Sequence, residues 1–122
     1  MTHSDPGFTA HVGAPVPTAQ DGAARLEIEV EGRHLNSAGA VHGGMLATLV
    51  DVTMGAAVRS AANGEAAATS QLSVTYLRPG KPGKLVVTAA VRKRGESLTI
   101  CEADVAQEGE SLVHALATFA IL

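Results

Sequence analysis

The sequence predicts an α+β fold in which one long central helix is wrapped by a curved antiparallel sheet. Three observations carry that expectation. From Met45 to Val58 nearly every residue is apolar or small and Asp51 is the single charge; a helix apolar on all sides is one that the rest of the chain encloses. Upstream, Leu26, Ile28 and Val30 alternate with Glu27, Glu29 and Glu31, the pattern of a strand with one wet face. Downstream the apolar period stays at two as far as Leu122, and one sheet curling around one helix is the economical cover.

Taken in order, Met1 to Gln20 contains Pro6, Gly7, Gly13, Pro15 and Pro17 with little periodicity. It reads as an extended arm (residues 1–22 of a single 1–122 domain) with a short strand around Phe8–Val12. His3 and His11 in this arm have no ligand spacing and read as solvent residues. Ala24–Glu31 is the first clear strand. The helix should stop near Asn63-Gly64, and Thr48, Thr53 and Gly55 within it are small enough to let another element pack close. Four strands follow, Ala66–Leu77, Lys84–Arg94, Ser97–Gln107 and Ser111–Leu122. They are separated by Arg78–Gly83, Gly95-Glu96 and Glu108-Gly109-Glu110, and short turns between successive strands predict an antiparallel meander.

Composition narrows the function. At 122 residues and 46% hydrophobic content the chain is one globular domain. A net charge of −3 and 2% aromatic content without Trp argue against nucleic acid and leave no stacking platform. Six of the nine basic residues (Arg78, Lys81, Lys84, Arg92, Lys93, Arg94) fall in one acid-free span. The span is either a site for a phosphorylated small molecule or a solvated face. The lone cysteine, Cys101, reads as a buried strand residue, excludes an internal disulfide and fits a reducing cytoplasm. Met1–Phe8 lacks a signal-peptide pattern and Met45–Val58 is shorter than a membrane span, so no membrane partner is expected. There is no HExxH, no paired cysteines, no phosphate-cradling glycine loop and no Gly-x-Ser-x-Gly elbow. Neither metal nor cofactor is expected.

The chemistry concentrates on Asn36-Ser37-Ala38-Gly39-Ala40-Val41-His42-Gly43-Gly44 and the helix after it. A helix beginning at the glycine pair presents N–H groups without intrahelical partners, suited to a developing oxyanion. Asp51 further along is a buried acid by this reading, costly unless it has a partner or a task. Gly43 and Asp51 are eight residues apart, about 12 Å of helical rise. A water activated by Asp51 must lie about 3 Å from both groups' targets, which one copy of the helix cannot arrange. Two antiparallel copies can, so the site is expected at a dimer interface.

His34-Leu35-Asn36, Gly39, His42-Gly43-Gly44 and Leu49-Val50-Asp51, continued by Thr69 and Tyr76-Leu77-Arg78-Pro79-Gly80, resemble the signature of hotdog-fold acyl-CoA thioesterases. The phenylacetate-degradation (PaaI-like) branch is the nearest match. The arm before Gly22 is shorter than in many relatives and lacks their N-terminal helical stretch. The resemblance implies hydrolysis of an aryl- or medium-chain acyl-CoA, with Asp51 as general base or nucleophile and the Gly43 N–H polarising the thioester carbonyl. Asn36 and His42 would shape that end of the site. A Ser or Thr on the following strand of the opposing chain, here Thr69, would place water or Asp51. It also implies a homodimer that pairs into a homotetramer. The basic run is then assigned to the nucleotide end of CoA, with Arg78, Lys81, Lys93 and Arg94 as contacts. His34 and His114 are expected to face solvent or be satisfied locally. A hotdog dehydratase would need a His–acid pair in a Pro/Gly-rich loop that is absent, and a non-catalytic acyl-CoA binding or sensing module is the alternative from another class.

Overall fold

The helix foreseen from Met45 to Val58 runs from Gly43 to Ala61 in the computed structural model, which describes residues 7–122. His3 lies outside the described residues. In chain order the elements are a single helical turn α1 (Phe8–His11), β1 (Thr18–Gln20), β2 (Ala23–Val30), a 3-10 turn (Gly32–His34), α2 (Gly43–Ala61), β3 (Ala67–Tyr76), β4 (Gly83–Arg94), β5 (Leu98–Gln107) and β6 (Glu110–Ile121). α2 ends where Asn63 and Gly64 take positive φ of 55° and 83°. The Gly64 N–H there reaches back to the Arg59 carbonyl at 2.8 Å, closing the last turn.

The six strands form one antiparallel sheet in the order β1-β2-β4-β5-β6-β3. The expected four-strand meander is therefore only three strands long. β3 pairs with β6, not with β4, and occupies an edge of the sheet. The reason lies in the link Arg78–Gly83, which crosses over beside α2 instead of making a hairpin: the Val41 N–H donates to the Gly80 carbonyl at 2.9 Å. The true hairpins have tight turns. Glu108-Gly109 joins β5 to β6 with φ of 51° and 80° at its two residues, the geometry that matches strand twist.

Two differences concern the arm. Phe8–His11 is a helical turn, not a strand, and Thr18–Gln20 forms an edge strand that pairs with β2 through Asp21-Gly22, both at positive φ. Asp-Gly is a strong hairpin signal that the proline-rich context obscures.

One sheet face packs on α2. Leu26, Ile28, Val30, Leu85, Val87, Cys101, Val105, Val113 and Phe119 are buried there against Leu49, Val50, Met54 and Val58. Cys101 is buried as expected, and burial pushes its thiol up to about 11. The helix, however, is not enclosed on all sides. Gly44, Ala47, Thr48, Asp51 and Val52 recur at helical spacing along a stripe left wholly or partly open, and among the described residues β3 carries no strand on its outer edge. Among the described residues no helix is long and apolar enough to cross a membrane.

Thr99, 1% exposed on the packed face of β5, has a hydroxyl without a hydrogen-bond partner among the described residues. An unpaired buried hydroxyl is destabilising. Thr99→Val, which keeps the shape, is expected to stabilise the fold by about 1 kcal/mol and raise Tm by roughly 3–5 °C. A lower Tm in a thermal melt would contradict that account of the site.

Candidate functional site at the start of α2

The loop before α2 is built by side-chain-to-backbone bonds. Asn36 Oδ1 accepts from the Ala38 and Ala40 N–H groups at 2.9 and 3.1 Å. Its backbone bonds both ways, with the Asn36 N–H donating to the Ala40 carbonyl at 2.7 Å and the Gly39 N–H to the Asn36 carbonyl at 3.0 Å. An isolated bridge between Leu35 and Val41 closes the base of the loop. Asn36 is exposed. Its carbonyl oxygen is committed to the loop, and its Nδ2 hydrogens have no partner among the described residues.

Of the two expectations for His34, solvent exposure or local satisfaction, the second holds for one ring nitrogen, while the other finds a partner 22 residues away. His34 is 5% exposed, with Nε2–H donating to the Val12 carbonyl at 2.7 Å and Nδ1 accepting from the Glu31 N–H at 3.0 Å. Both ring nitrogens are used, so the side chain pins the arm to the motif loop and does not face solvent. The cue in the sequence is the Glu31–His34 spacing of a capping pair.

His42 caps α2. Its Nδ1 accepts from the Gly44 N–H at 2.8 Å, which leaves the ring proton on Nε2. Its carbonyl accepts from Met45 and Leu46. The Gly43 N–H donates to nothing among the described residues, as the first turn of a helix leaves it.

Asp51 is only partly buried, a correction to the fully enclosed acid foreseen from an all-apolar helix. It looks out of the open stripe, and Thr48 does not satisfy it, since the Thr48 hydroxyl donates to the Gly44 carbonyl at 2.8 Å. Its partner is Thr69 on β3 of the same protomer, whose hydroxyl donates to Asp51 Oδ1 at 2.6 Å. A β-bulge makes that bond possible. Leu72, Val74 and Tyr76 face α2, so simple alternation would aim Thr69 away from it. The register shift between Thr69 and Gln71 reverses the parity, as bulges do where a side chain must be re-aimed. Ser70, the extra residue, bonds instead to the carbonyl and hydroxyl of Thr118 at 3.1 and 2.6 Å. The polar run Thr69-Ser70-Gln71 was the visible sign of the break.

Two features escaped sequence reasoning. Tyr76, half exposed at the end of β3, donates its hydroxyl to the Gly43 carbonyl at 2.7 Å. A cavity of about 510 Å³ lies between the arm and the start of α2, with Phe8, Val12, Leu35 and Met45 supplying apolar walls and His42 and Thr48 polar ones.

The basic run does not form one patch. Arg78 pairs with Glu110 and Lys81 with Glu108 (3.2 Å) at the β5–β6 turn. Lys84 and Arg25 flank Glu27 and hold its carboxyl down to about 2, and Arg92 pairs with Glu102 at 3.3 Å. Lys93 and Arg94 have no acidic partner among the described residues, but they sit at the far end of β4, about 30 Å from Lys84 at strand rise. As consecutive residues of one strand, they point to opposite faces. His114 lies half exposed, 3.3 Å from Asp104.

The model of the Thioesterase superfamily matches residues 38–114. The human acyl-coenzyme A thioesterase 13 is 35% identical over 88 residues, which is 71% of this chain and 63% of that protein. The solved structure of PaaI from the Escherichia coli phenylacetic acid degradation operon is similar with a TM-score of 0.86 and 26% identity, over 93% of this chain and 83% of that one. A hypothetical thioesterase protein of Streptococcus pneumoniae solved with coenzyme A has a TM-score of 0.81 and 30% identity, over 86% of this chain and 82% of that one. That protein has also been solved with an aspartate and with a threonine replaced by alanine.

The loop geometry makes a stability prediction. Asn36→Ala, which removes the acceptor for two amides, is expected to cost roughly 1–2 kcal/mol in chemical denaturation, whereas Asn36→Asp, which keeps it, stays close to the parent. Equal stability of all three proteins would mean that Oδ1 does not hold the loop.

Proposed function

Because the chain belongs to the thioesterase superfamily and shares its hotdog fold, we propose that it hydrolyses an acyl-CoA thioester to the free acid and CoA at a site shared by two copies. The observation that carries this reading is the pairing of Asp51 with Thr69 on an open face of α2, eight residues from an amide that has no acceptor among the described residues. The helix keeps these groups about 12 Å apart in any one protomer. A two-fold axis that sets the open stripe of α2 and the free edge of β3 against their own copies brings Gly43 of one protomer to Asp51 of the other. It also covers a ten-residue edge strand that would otherwise invite pairing. Thr69 travels with the acid and not with the amide.

In this site the thioester carbonyl oxygen accepts from the Gly43 N–H, and the Nδ2 hydrogens of Asn36 are free to turn toward it. The Thr69 hydroxyl occupies Oδ1 of Asp51 and leaves Oδ2 to take a proton from water, or to attack directly. When water attacks, the carbonyl carbon gains its oxygen, the C–S bond breaks, and the thiolate leaves as CoA with the proton that Asp51 took. When Asp51 attacks, the mixed anhydride formed as the thiolate leaves is then cleaved by water to the free acid, and the proton released goes to CoA. One oxyanion donor is typically worth about 10²–10³ in rate and a general base about 10²–10⁴. Of the four CoA contacts expected from the sequence, Arg78 and Lys81 already have acidic partners. Lys93 and Arg94 are the cations available for the nucleotide phosphates, and their opposite orientations allow one of them per ligand.

The test is a panel of aryl- and medium-chain acyl-CoAs with free thiol followed by a reagent. Turnover is expected for the native protein, and Asp51→Asn should lower kcat by about 10³-fold or more while the dimer persists in sedimentation. Binding without thiol release by the native protein would make the chain a sensor module, and near-native kcat in Asp51→Asn would remove Asp51 from the chemistry.

A further inference from the structure

We infer that Tyr76 is a positioning residue for the Gly43 amide, acting with His42 as a two-sided clamp on the peptide plane between Gly43 and Gly44; this rests on the hydrolase reading above. A peptide unit is rigid, so the Gly43 carbonyl and the Gly44 N–H are opposite ends of one plate. Tyr76 Oη–H holds the first end at 2.7 Å and His42 Nδ1 the second at 2.8 Å. The preceding plate carries the Gly43 N–H, and it is held at its carbonyl end by the Met45 and Leu46 amides at 2.9 and 3.1 Å. Of the four ends of these two adjoining plates, the Gly43 N–H is the one that nothing among the described residues grips.

The clamp answers a problem that the glycine pair creates. Without Cβ atoms, Gly43 and Gly44 have the widest choice of φ and ψ in the chain, and an amide that swings offers little to an oxyanion, whose stabilisation depends on donors oriented beforehand. A side chain at either glycine would crowd the clamp. A Cβ on Gly43 would sit 3.3 Å from Tyr76 Oη, and one on Gly44 3.0 Å from His42 Nδ1. The glycines make room for the clamp and the clamp removes the freedom they bring.

Tyr76 reaches the plate from a fixed base. The next residue, Leu77, donates its N–H to the Leu112 carbonyl at 2.8 Å, and the crossover after it receives the Val41 N–H at Gly80. With half its surface exposed, the phenol could satisfy its hydroxyl with water, so its bond to this carbonyl is not forced by burial. β3 therefore serves both halves of chemistry in its protomer, with Thr69 on the acid and Tyr76 on the glycine pair.

Tyr76→Phe removes the hydroxyl and keeps the ring, and two measurements on the full-length protein decide the matter. Amide hydrogen exchange followed by NMR should show Gly44 exchanging about tenfold faster. Kinetics on the best thioester should show kcat about tenfold lower with KM within about twofold, the split expected when transition-state stabilisation alone is lost. His42→Ala should produce the same split, and the double variant should lose less than the product of the two singles. Native exchange at Gly44 in Tyr76→Phe would overturn the inference, as would a raised KM with unchanged kcat, which would place the phenol on the substrate. The exchange result needs no substrate, so it decides the clamp even if the native protein cleaves no thioester.

Discussion

An α-helix does not bend to bring its first turn to its third. α2 carries Gly43 at its start and Asp51 two turns further on, and the helical repeat keeps them about 12 Å apart whatever surrounds them. Every other feature of the site can be understood as working with that separation. Each end of the pair has its own support, and each support comes from β3: Thr69 for the acid and Tyr76 for the glycines. In the proposed function the protomer is two half-sites on one rigid frame, and the proposed dimer completes each half with the other's complement.

The sheet order serves the same end. Had the strands after α2 run as a simple meander, β3 would have paired with β4 instead of β6. The crossover at Arg78–Gly83 sends β4 to the far side instead and leaves β3 at an edge beside the open stripe of α2. The single bulge at Ser70 then lets one strand face the helix with Leu72, Val74 and Tyr76 at one end and Thr69 at the other.

The sequence made much of this legible and hid the rest for physical reasons. Alternation in Leu26, Ile28 and Val30 and the long apolar run after Gly44 report burial directly, so the strand and helix emerged within a residue or three of their bounds. Pairing partners are non-local, and short linkers suggested neighbours that the crossover does not allow. The placement of Asp51 was misjudged because a stripe of Gly44, Ala47, Thr48 and Val52 is made of small residues, which look as buried as a core does. The basic run misled for a simpler reason: adjacent residues on a long strand are far apart at its ends and opposite in facing, and the acids that neutralise Arg78, Lys81 and Lys84 come from other elements. His34 and Tyr76 act through backbone atoms, which leave almost no trace in residue type.

Whether two chains share each site can be measured by complementation. Gly43→Pro deletes the donor amide at the first helical position, where proline is accepted, and its Cβ meets only the far end of the Tyr76 side chain. His42 before it already has φ −60° and ψ 133°, the extended backbone that proline requires of its predecessor. Co-expressed with Asp51→Asn, each variant being inactive alone, the mixture should regain about a quarter of native activity. Half of randomly formed dimers are mixed, and each mixed dimer has one of its two sites intact. No recovery in a sample shown to contain mixed dimers would contradict the shared site.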